Sequence, residues 1–262
     1  MKKLLLIWIL AFMPVLGFAE GSYENLNLGI PFIGNGNMVT TEKSFPAFDS
    51  IYINRNATVY FHKSPEYRAL ITVDSNLQEY IRVEVIDGVL RIGAIMGRLY
   101  LFTKYDVHVY CPGITGVSIY GAANFEGMDK ISTSTFTANI SGVGKIEGSF
   151  ECADFIVGIS GMGEIRAHVE SDSLKIDASG TGSITLAGST EELILNVSGA
   201  GDFSGYELQV TNVTLQLTGA ARIHVWVLEN LKASVSGGGM IRYRGAPRID
   251  FQGSLLGRIE KE

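Results

Sequence analysis

Glu126 and Glu147 are the residues whose type and spacing come closest to catalytic chemistry. Each follows the first glycine of a repeated phrase by five residues, so stacked repeats would bring the two carboxylates about 5 Å apart. A carboxylate pair at that separation suits a retaining glycosidase. The alternative is a surface column in which Glu147 pairs with Arg166 and Glu126 reaches Lys145. The sequence therefore keeps a carbohydrate-active enzyme, a glycosidase or lyase, as one hypothesis.

Tyr206 and Trp226 indicate a contact surface. Both follow a repeat glycine by seven residues, which predicts that they are neighbours on adjacent coils. Aromatic rings flanked by hydrogen-bond donors can bind sugars, and His224, Arg242 and Arg244 lie in the same part of the repeat. These five residues are called the contact surface below. Two structural alternatives are that Tyr206 points inward at an irregular corner and that Trp226 covers a seam.

Other chemistry has little support in the pattern. The histidines lack metal-ligand spacing, and no set of nucleophile, histidine and acid is recognisable; they are His62, His108, His168 and His224. The segment 142–145 lacks the rest of a phosphate-binding loop. We therefore expect neither a metal nor a cofactor. The net charge of −6 and the pI near 5.3 argue against a nucleic-acid partner.

A repeat must position these side chains. Its phrase is an apolar residue, Ser or Thr, Gly, any residue, Gly or Ala, any residue, then Ile or Phe. Successive first glycines lie 21, 19, 19, 19, 20, 18 and 16 residues apart, and the last copy is degenerate. They are Gly121, Gly142, Gly161, Gly180, Gly199, Gly219, Gly237 and Gly253. Polarity alternates around each glycine with a period of two, which is typical of strands with one buried face.

This repeat predicts an all-β fold, a single-stranded parallel β-helix or solenoid of about eight coils of ~19 residues. The usual handedness of crossover connections favours a right-handed winding. The first glycine persists in every copy, so it needs either positive φ or a site without room for a Cβ. The second glycine becomes alanine at Ala123 and Ala221, so that site needs only a small residue.

Stacking also assigns neighbours across coils. Lys145 should pair with Glu164, and Asp202 should pair with Arg222. The Ser or Thr before each first glycine should form a column of hydroxyls that bonds the corner backbone.

The N-terminus predicts export. A basic start, an apolar run at 4–12 and small residues before Glu20 predict a secretory signal peptide over residues 1–19, and no later stretch is apolar enough to cross a membrane. Export would permit a disulfide, but Cys111 and Cys152 share a corner two coils apart, which is too far for one. We therefore expect two free buried thiols in a periplasmic, surface or extracellular protein.

The mature chain divides into three segments. Residues 20–37 resemble a flexible leader, 38–112 form a β-rich section continuous with the solenoid, and 113–262 form the repeat solenoid. Within the middle segment, Asp87-Gly88 predicts a tight hairpin. This segment should cap the solenoid, because a bare terminal coil would expose an unpaired edge.

The chain resembles the bacterial family of "putative auto-transporter adhesin, head GIN domain" proteins over essentially its whole mature length. The resemblance rests on Gly34–Asn37, Phe48–Ile51, Val73–Leu77, Asp87–Leu90 and the Ser-Gly-x-Gly ladder. It implies a single-stranded β-helix in the cell envelope, with no established chemistry and no site residues to transfer.

The first hypothesis is therefore a non-enzymatic, adhesin-like β-solenoid of the cell envelope or surface that binds a glycan or a protein through the contact surface. The alternatives are an enzyme that uses Glu126 and Glu147 and a passive structural spacer.

Overall fold

The computed structural model of the protein describes residues 30–254 and 257–262. Within these residues the chain is a parallel β-solenoid of about eight turns with a spacing of about 19 residues, preceded by a β-rich section. The predicted fold class is confirmed. The winding hand stays a prediction, and the predicted signal peptide lies outside the described residues.

The N-terminal section contains nine described strands and one short 3-10 turn at Gln78–Tyr80. The strands are β1 (Phe32–Ile33), β2 (Met38–Ser44), β3 (Ser50–Ile53), β4 (Thr58–Lys63), β5 (Arg68–Asp74), β6 (Ile81–Ile86), β7 (Val89–Ala94), β8 (Tyr100–Leu101) and β9 (Tyr105–Cys111).

The repeat section contains twelve described strands, and the middle ones run through most of a coil without a break. They are β10 (Gly116–Ile119), β11 (Ala122–Gly127), β12 (Ile131–Ser132), β13 (Thr135–Ile140), β14 (Val143–Ile159), β15 (Met162–Ala178), β16 (Thr181–Val197), β17 (Ala200–Leu217), β18 (Ala220–Val235), β19 (Met240–Gly245), β20 (Arg248–Gly253) and β21 (Arg258–Lys261).

The first glycines of successive repeats lie one above another, at a site that has no room for a side chain. A Cβ on Gly180 would overlap the carbonyl oxygen of Gly161, and a Cβ on Gly199 would overlap that of Gly180. None of these three glycines has positive φ. Of the two explanations offered by the sequence, close approach of the backbone is therefore the right one at these positions.

Burial alternates along each coil and changes phase once. In β15 every second residue is buried as far as Val169, and the buried positions resume at Leu174 and Ile176. The four exposed or half-buried residues between them, 170–173, mark a second corner about halfway along the chain between two Ser-Gly corners. Apolar side chains from both sides of the coil meet inside, where Phe136, Phe150 and Phe155 pack with ring centres 4.6–5.7 Å apart.

The N-terminal section breaks the sequential order of the coils. Strands β3 and β4 lie between the later strands β7 and β9 on one side and β10 and β11 on the other. Three antiparallel pairings, β6 with β7, β5 with β9 and β2 with β5, then close this end of the stack. The predicted hairpin is confirmed, since Asp87 and Gly88 have φ of 52° and 75° between β6 and β7.

The predicted flexible leader is attached to this cap in its last part. Strand β1 pairs with β8. The carboxylate of Asp74, which is fully buried, accepts hydrogen bonds from the backbone N–H groups of Gly36 and Thr103, both at 2.8 Å. A buried carboxylate needs such donors. The short polar segment 34–37 therefore supplies one of the hydrogen-bond donors around the carboxylate of Asp74.

Two details of the repeat differ from expectation. Gly253 lies opposite Val235 rather than Gly237, because the last turn spans 18 residues, from Met240 to Arg258. Both cysteines are free and buried, as predicted. Cys111 and Cys152 lie on β9 and β14, with β4 and β11 between those strands, so three strand spacings separate them and not the predicted two coils.

Candidate functional site

The contact surface lies on β17, β18 and β19, and its two predicted aromatic neighbours are not paired. The register runs from Gly205 opposite Val225 directly to Gln209 opposite Trp226. Three residues of β17, including Tyr206, bulge out of the ladder at this point. The prediction that Tyr206 and Trp226 are neighbours in register is therefore wrong, because residues 206–208 form an irregular bulge with no partners on β18.

Tyr206 instead stacks on His224. The two rings are nearly parallel, with an interplanar angle of 9° and centres 4.7 Å apart. The guanidinium of Arg244 lies 4.2 Å from the centre of the Tyr206 ring, within the range of a cation–π contact. Tyr206 is half-buried in this cluster and does not belong to the core.

Acidic residues of the last coil hold the arginines of the contact surface. Arg244 donates to Glu262 at 2.6 Å, and Arg242 lies 3.8 Å from Glu260. Burial and the nearby Arg242 lower the pKa of His224. Burial and Glu262 raise the pKa of Tyr206. Near neutral pH this surface therefore presents neutral rings, two guanidinium groups and their paired carboxylates.

The glutamate pair lies on the same side of the coils, nearer the cap. Glu126 and Glu147 are direct register partners, as the sequence predicts, and Arg166 follows. Glu147 forms an ion pair with Lys145 on its own strand, and Arg166 pairs with Glu164 in the same way. The predicted pairing of Lys145 with Glu164 is thus replaced by pairs along the strand.

The other predicted ion pair is confirmed. Arg222 donates to both carboxylate oxygens of Asp202, at 2.6 and 3.0 Å. The hydroxyl column is present but weak, because the contacts from Ser141 and Ser179 to the preceding coil are 3.5 Å long.

A histidine pair is a site that the sequence did not reveal. Nε2 of His62 and Nδ1 of His108 are 2.9 Å apart, and the rings stack on Tyr110 and Tyr60, respectively. The two histidines are 46 residues apart in the chain, so the link between β4 and β9 was not readable from spacing. Among the described residues, no three histidine, cysteine, aspartate or glutamate side chains are grouped to hold a metal.

A polar groove of about 660 Å³ follows the second corner, and it was also missed. Serines, threonines and carboxylates line it, and neither the repeated phrase nor its glycines contribute. Cys152 lies in its wall, where burial raises the pKa of the thiol to about 11, so this cysteine is not a reactive thiolate at neutral pH.

Fold and surface together define a parallel β-solenoid with solvent-facing columns of side chains and a closed apolar interior. The chain belongs to the family described as "putative auto-transporter adhesin, head GIN domain", whose profile matches residues 47–247.

Solved structures agree with this assignment. A "putative adhesin" from Parabacteroides distasonis ATCC 8503 is similar with a TM-score of 0.82 and 24% identity, covering 89% of this chain and 100% of that one. Another from Parabacteroides merdae ATCC 43184 has a TM-score of 0.77 and 25% identity, with coverages of 88% and 98%. A "putative lipid binding protein" from P. distasonis ATCC 8503 has a TM-score of 0.77 and 21% identity, with coverages of 89% and 100%.

A search of curated proteins finds no match for the chain. In the part of the chain that the structure describes, no helix has the length and apolar character needed to cross a membrane.

Proposed function

We propose that the protein is an exported, non-enzymatic adhesin that binds an extracellular glycan through its contact surface. The observation that carries this proposal is the cluster in which Tyr206 stacks on His224 under the guanidinium of Arg244. Membership of the adhesin-like family supports a binding role. The predicted signal peptide over residues 1–19 supports export.

The chemistry of the cluster suits sugars. Sugar rings offer C–H groups to aromatic side chains and hydroxyls to hydrogen-bonding groups. Tyr206 and Trp226 provide aromatic surface, while His224, Arg242 and Arg244 provide N–H donors. Carboxylates that already hold the arginines can accept hydrogen bonds from hydroxyls.

The cluster is also held in place before any ligand arrives. His224 and Trp226 project from β18, which pairs along its length with β17 and then with β19 and β20. Both side chains are half-buried. Binding therefore requires little ordering of side chains, and this favours affinity.

The test is binding of the mature protein to an array of neutral and acidic glycans, with Tyr206→Ala and Trp226→Ala as variants. Removing either ring should weaken glycan binding about tenfold, equivalent to about 1.4 kcal/mol. Tyr120→Ala is the matched control, since Tyr120 also packs against a neighbouring ring, that of Tyr52 with centres 5.0 Å apart, but lies near the cap.

Three results would contradict the proposal. The first is no glycan binding by the wild type. The second is capture of a protein partner that depends on Trp226, since Trp, Tyr and Arg also dominate protein interfaces. The third is polysaccharide hydrolysis that is lost in Glu147→Gln, because this would show that the glutamate pair is catalytic.

A further inference from the structure

The groove along the second corner repeats its lining from coil to coil. It follows six successive coils, from Ser132 to Leu228, a length of roughly 24 Å at ~4.8 Å per coil. One column of outward side chains runs along it in register. In order from the cap side, this column is Ser132, Glu151, Glu170, Ser189, Gln209 and Trp226.

The middle of the groove is rich in hydrogen-bonding oxygen atoms. The hydroxyl of Ser189 faces solvent on the column, and those of Ser171 and Thr190 lie in the groove wall, 3.0 Å from each other. Hydroxyls can both donate and accept, and Gln209 adds an amide that does both.

Carboxylates make the groove acidic, but part of that charge is neutralised internally. Lys130 bridges Glu151 at 2.8 Å and Glu170 at 3.1 Å on successive coils. Hydrogen bonding to Lys130 lowers the pKa of Glu170, so this carboxylate stays ionised at neutral pH. Asp172 and Glu191 add two more carboxylates at the corner.

The end of the groove away from the cap carries an exposed apolar residue beside Gln209 and Thr211. Leu228 lies in its lining and is 46% exposed, although leucine is usually buried. Trp226 lies next to Gln209 in the column and belongs to the contact surface. The groove and the contact surface are therefore continuous through Trp226.

We infer that the groove binds an uncharged, extended glycan chain that runs parallel to the solenoid axis and ends on Trp226. This inference rests on the proposed function and extends it by naming the charge and length of the ligand. A site repeated once per coil matches a polymer made of repeated units. Its hydroxyls, amide and carboxylates match a ligand whose edges carry hydroxyl groups.

Charge selects among the possible polymers. Four carboxylates face one lysine in this part of the molecule, so an acidic polysaccharide would meet like charges. A basic peptide would gain attraction from Asp172 and Glu191 only, because Lys130 already occupies Glu151 and Glu170.

The test compares Ser189→Leu with Ser183→Leu on the mature protein. Both serines are exposed on the same strand, β16, but only Ser189 lines the groove. The leucine at 189 removes a hydroxyl and fills the groove without adding charge. The probes are short and long chains of neutral β-glucan, xylan, mannan and chitin, with alginate and pectate as acidic chains and a lysine-rich peptide as the basic alternative.

Long neutral chains should bind wild type about tenfold more tightly than short ones, and Ser189→Leu should remove that gain while Ser183→Leu keeps it. Preference for an acidic chain, or for the lysine-rich peptide, would overturn the inference. So would equal binding of short and long chains with no effect of Ser189→Leu, and in that case the contact surface alone would account for binding. If no glycan binds at all, the proposed function fails together with this inference.

Discussion

The repeat solenoid and the N-terminal section are both built from β-strands, but the two regions differ in how far apart in the chain neighbouring residues lie. In the repeat, residues about 19 positions apart become neighbours, as Met162, Thr181 and Ala200 do. In the N-terminal section, neighbours can be far apart in the chain, as His62 and His108 are with a separation of 46 residues. Neighbouring residues in the repeat can therefore be predicted from the sequence, whereas most of those in the cap are defined only by the tertiary structure.

The difference also appears in what holds each region together. Backbone approach at the Ser-Gly corner sets the spacing of the repeat, so glycine is required where consecutive coils touch. The cap depends on a buried charge and on aromatic packing, in which Phe32, Tyr80 and Tyr100 have ring centres 5.0–5.9 Å apart. A different kind of substitution should therefore destabilise each region.

The largest effect is expected at the repeat corner. Gly180→Ala should lower the free energy of unfolding by about 3 kcal/mol, because its methyl group would force two coils apart. Urea unfolding followed by circular dichroism measures the change. Gly182→Ala should cost less, since its Cβ would lie 2.8 Å from the nearest carbonyl oxygen against 2.0 Å at Gly180, and alanine already occupies its column at Ala123 and Ala221. Equal losses in both variants would show that the two glycine columns are equivalent.

The next effect belongs to the cap. Asp74→Asn should cost about 1–3 kcal/mol, because each carboxylate oxygen accepts one backbone N–H, from Gly36 and from Thr103, and an amide has only one acceptor oxygen. Hydrogen exchange should show the loss in residues 34–37 and 103–106 and leave the repeat protected. Asp177→Asn, at an exposed repeat position, should change stability by less than about 0.5 kcal/mol.

The same carboxylate should make the stability of the cap depend on pH in the acid range. Burial by itself raises the pKa of Asp74, but hydrogen bonds from the backbone of Gly36 and Thr103 outweigh this effect and hold the pKa below its usual value. The stability that it contributes is therefore complete above its unfolded pKa of about 3.9 and is lost as pH falls through the lower folded value. Asp74→Asn should reduce the acid sensitivity of the cap, and an unchanged acid profile would contradict this role.

The smallest effect is expected at the histidine pair. Burial and the neighbouring His108 lower the pKa of His62 in the folded protein. Stability is then intact above the unfolded pKa of about 6.5 and falls as pH decreases towards the folded value, by less than about 1 kcal/mol. His62→Gln should make the thermal midpoint vary less between about pH 7 and about pH 5.5 than it does in wild type. A flat profile in wild type would remove any role for the pair in acid sensitivity.

Sequence reasoning succeeded where a change in coil length is taken up away from the residues concerned and failed where it is taken up beside them. Glu126 and Glu147 are neighbours as predicted although their coil spans 21 residues, because the register changes only after Gly127. Tyr206 and Trp226 are not register partners because three residues, 206–208, bulge between two in-register segments. Phase alone does not say where along a coil an insertion is absorbed.

The groove escaped prediction for a different reason. Its side chains lie at the second corner, which has no repeated motif and which shows only as a change of phase in the burial of each long strand. Ser189 and Glu170 are ordinary surface residues in sequence. Their importance comes from being stacked beside a concave corner.

The amino-acid sequence by itself determined the solenoid, because glycines at a nearly constant spacing and strands with one apolar side can be satisfied together only by stacking. It also determined most neighbours within the repeat. The tertiary structure decided the order of the cap strands, the partner of Tyr206 and the shape of the groove. These features depend on contacts between distant segments and on where in a coil a bulge is least destabilising. No local pattern of residues encodes either of them.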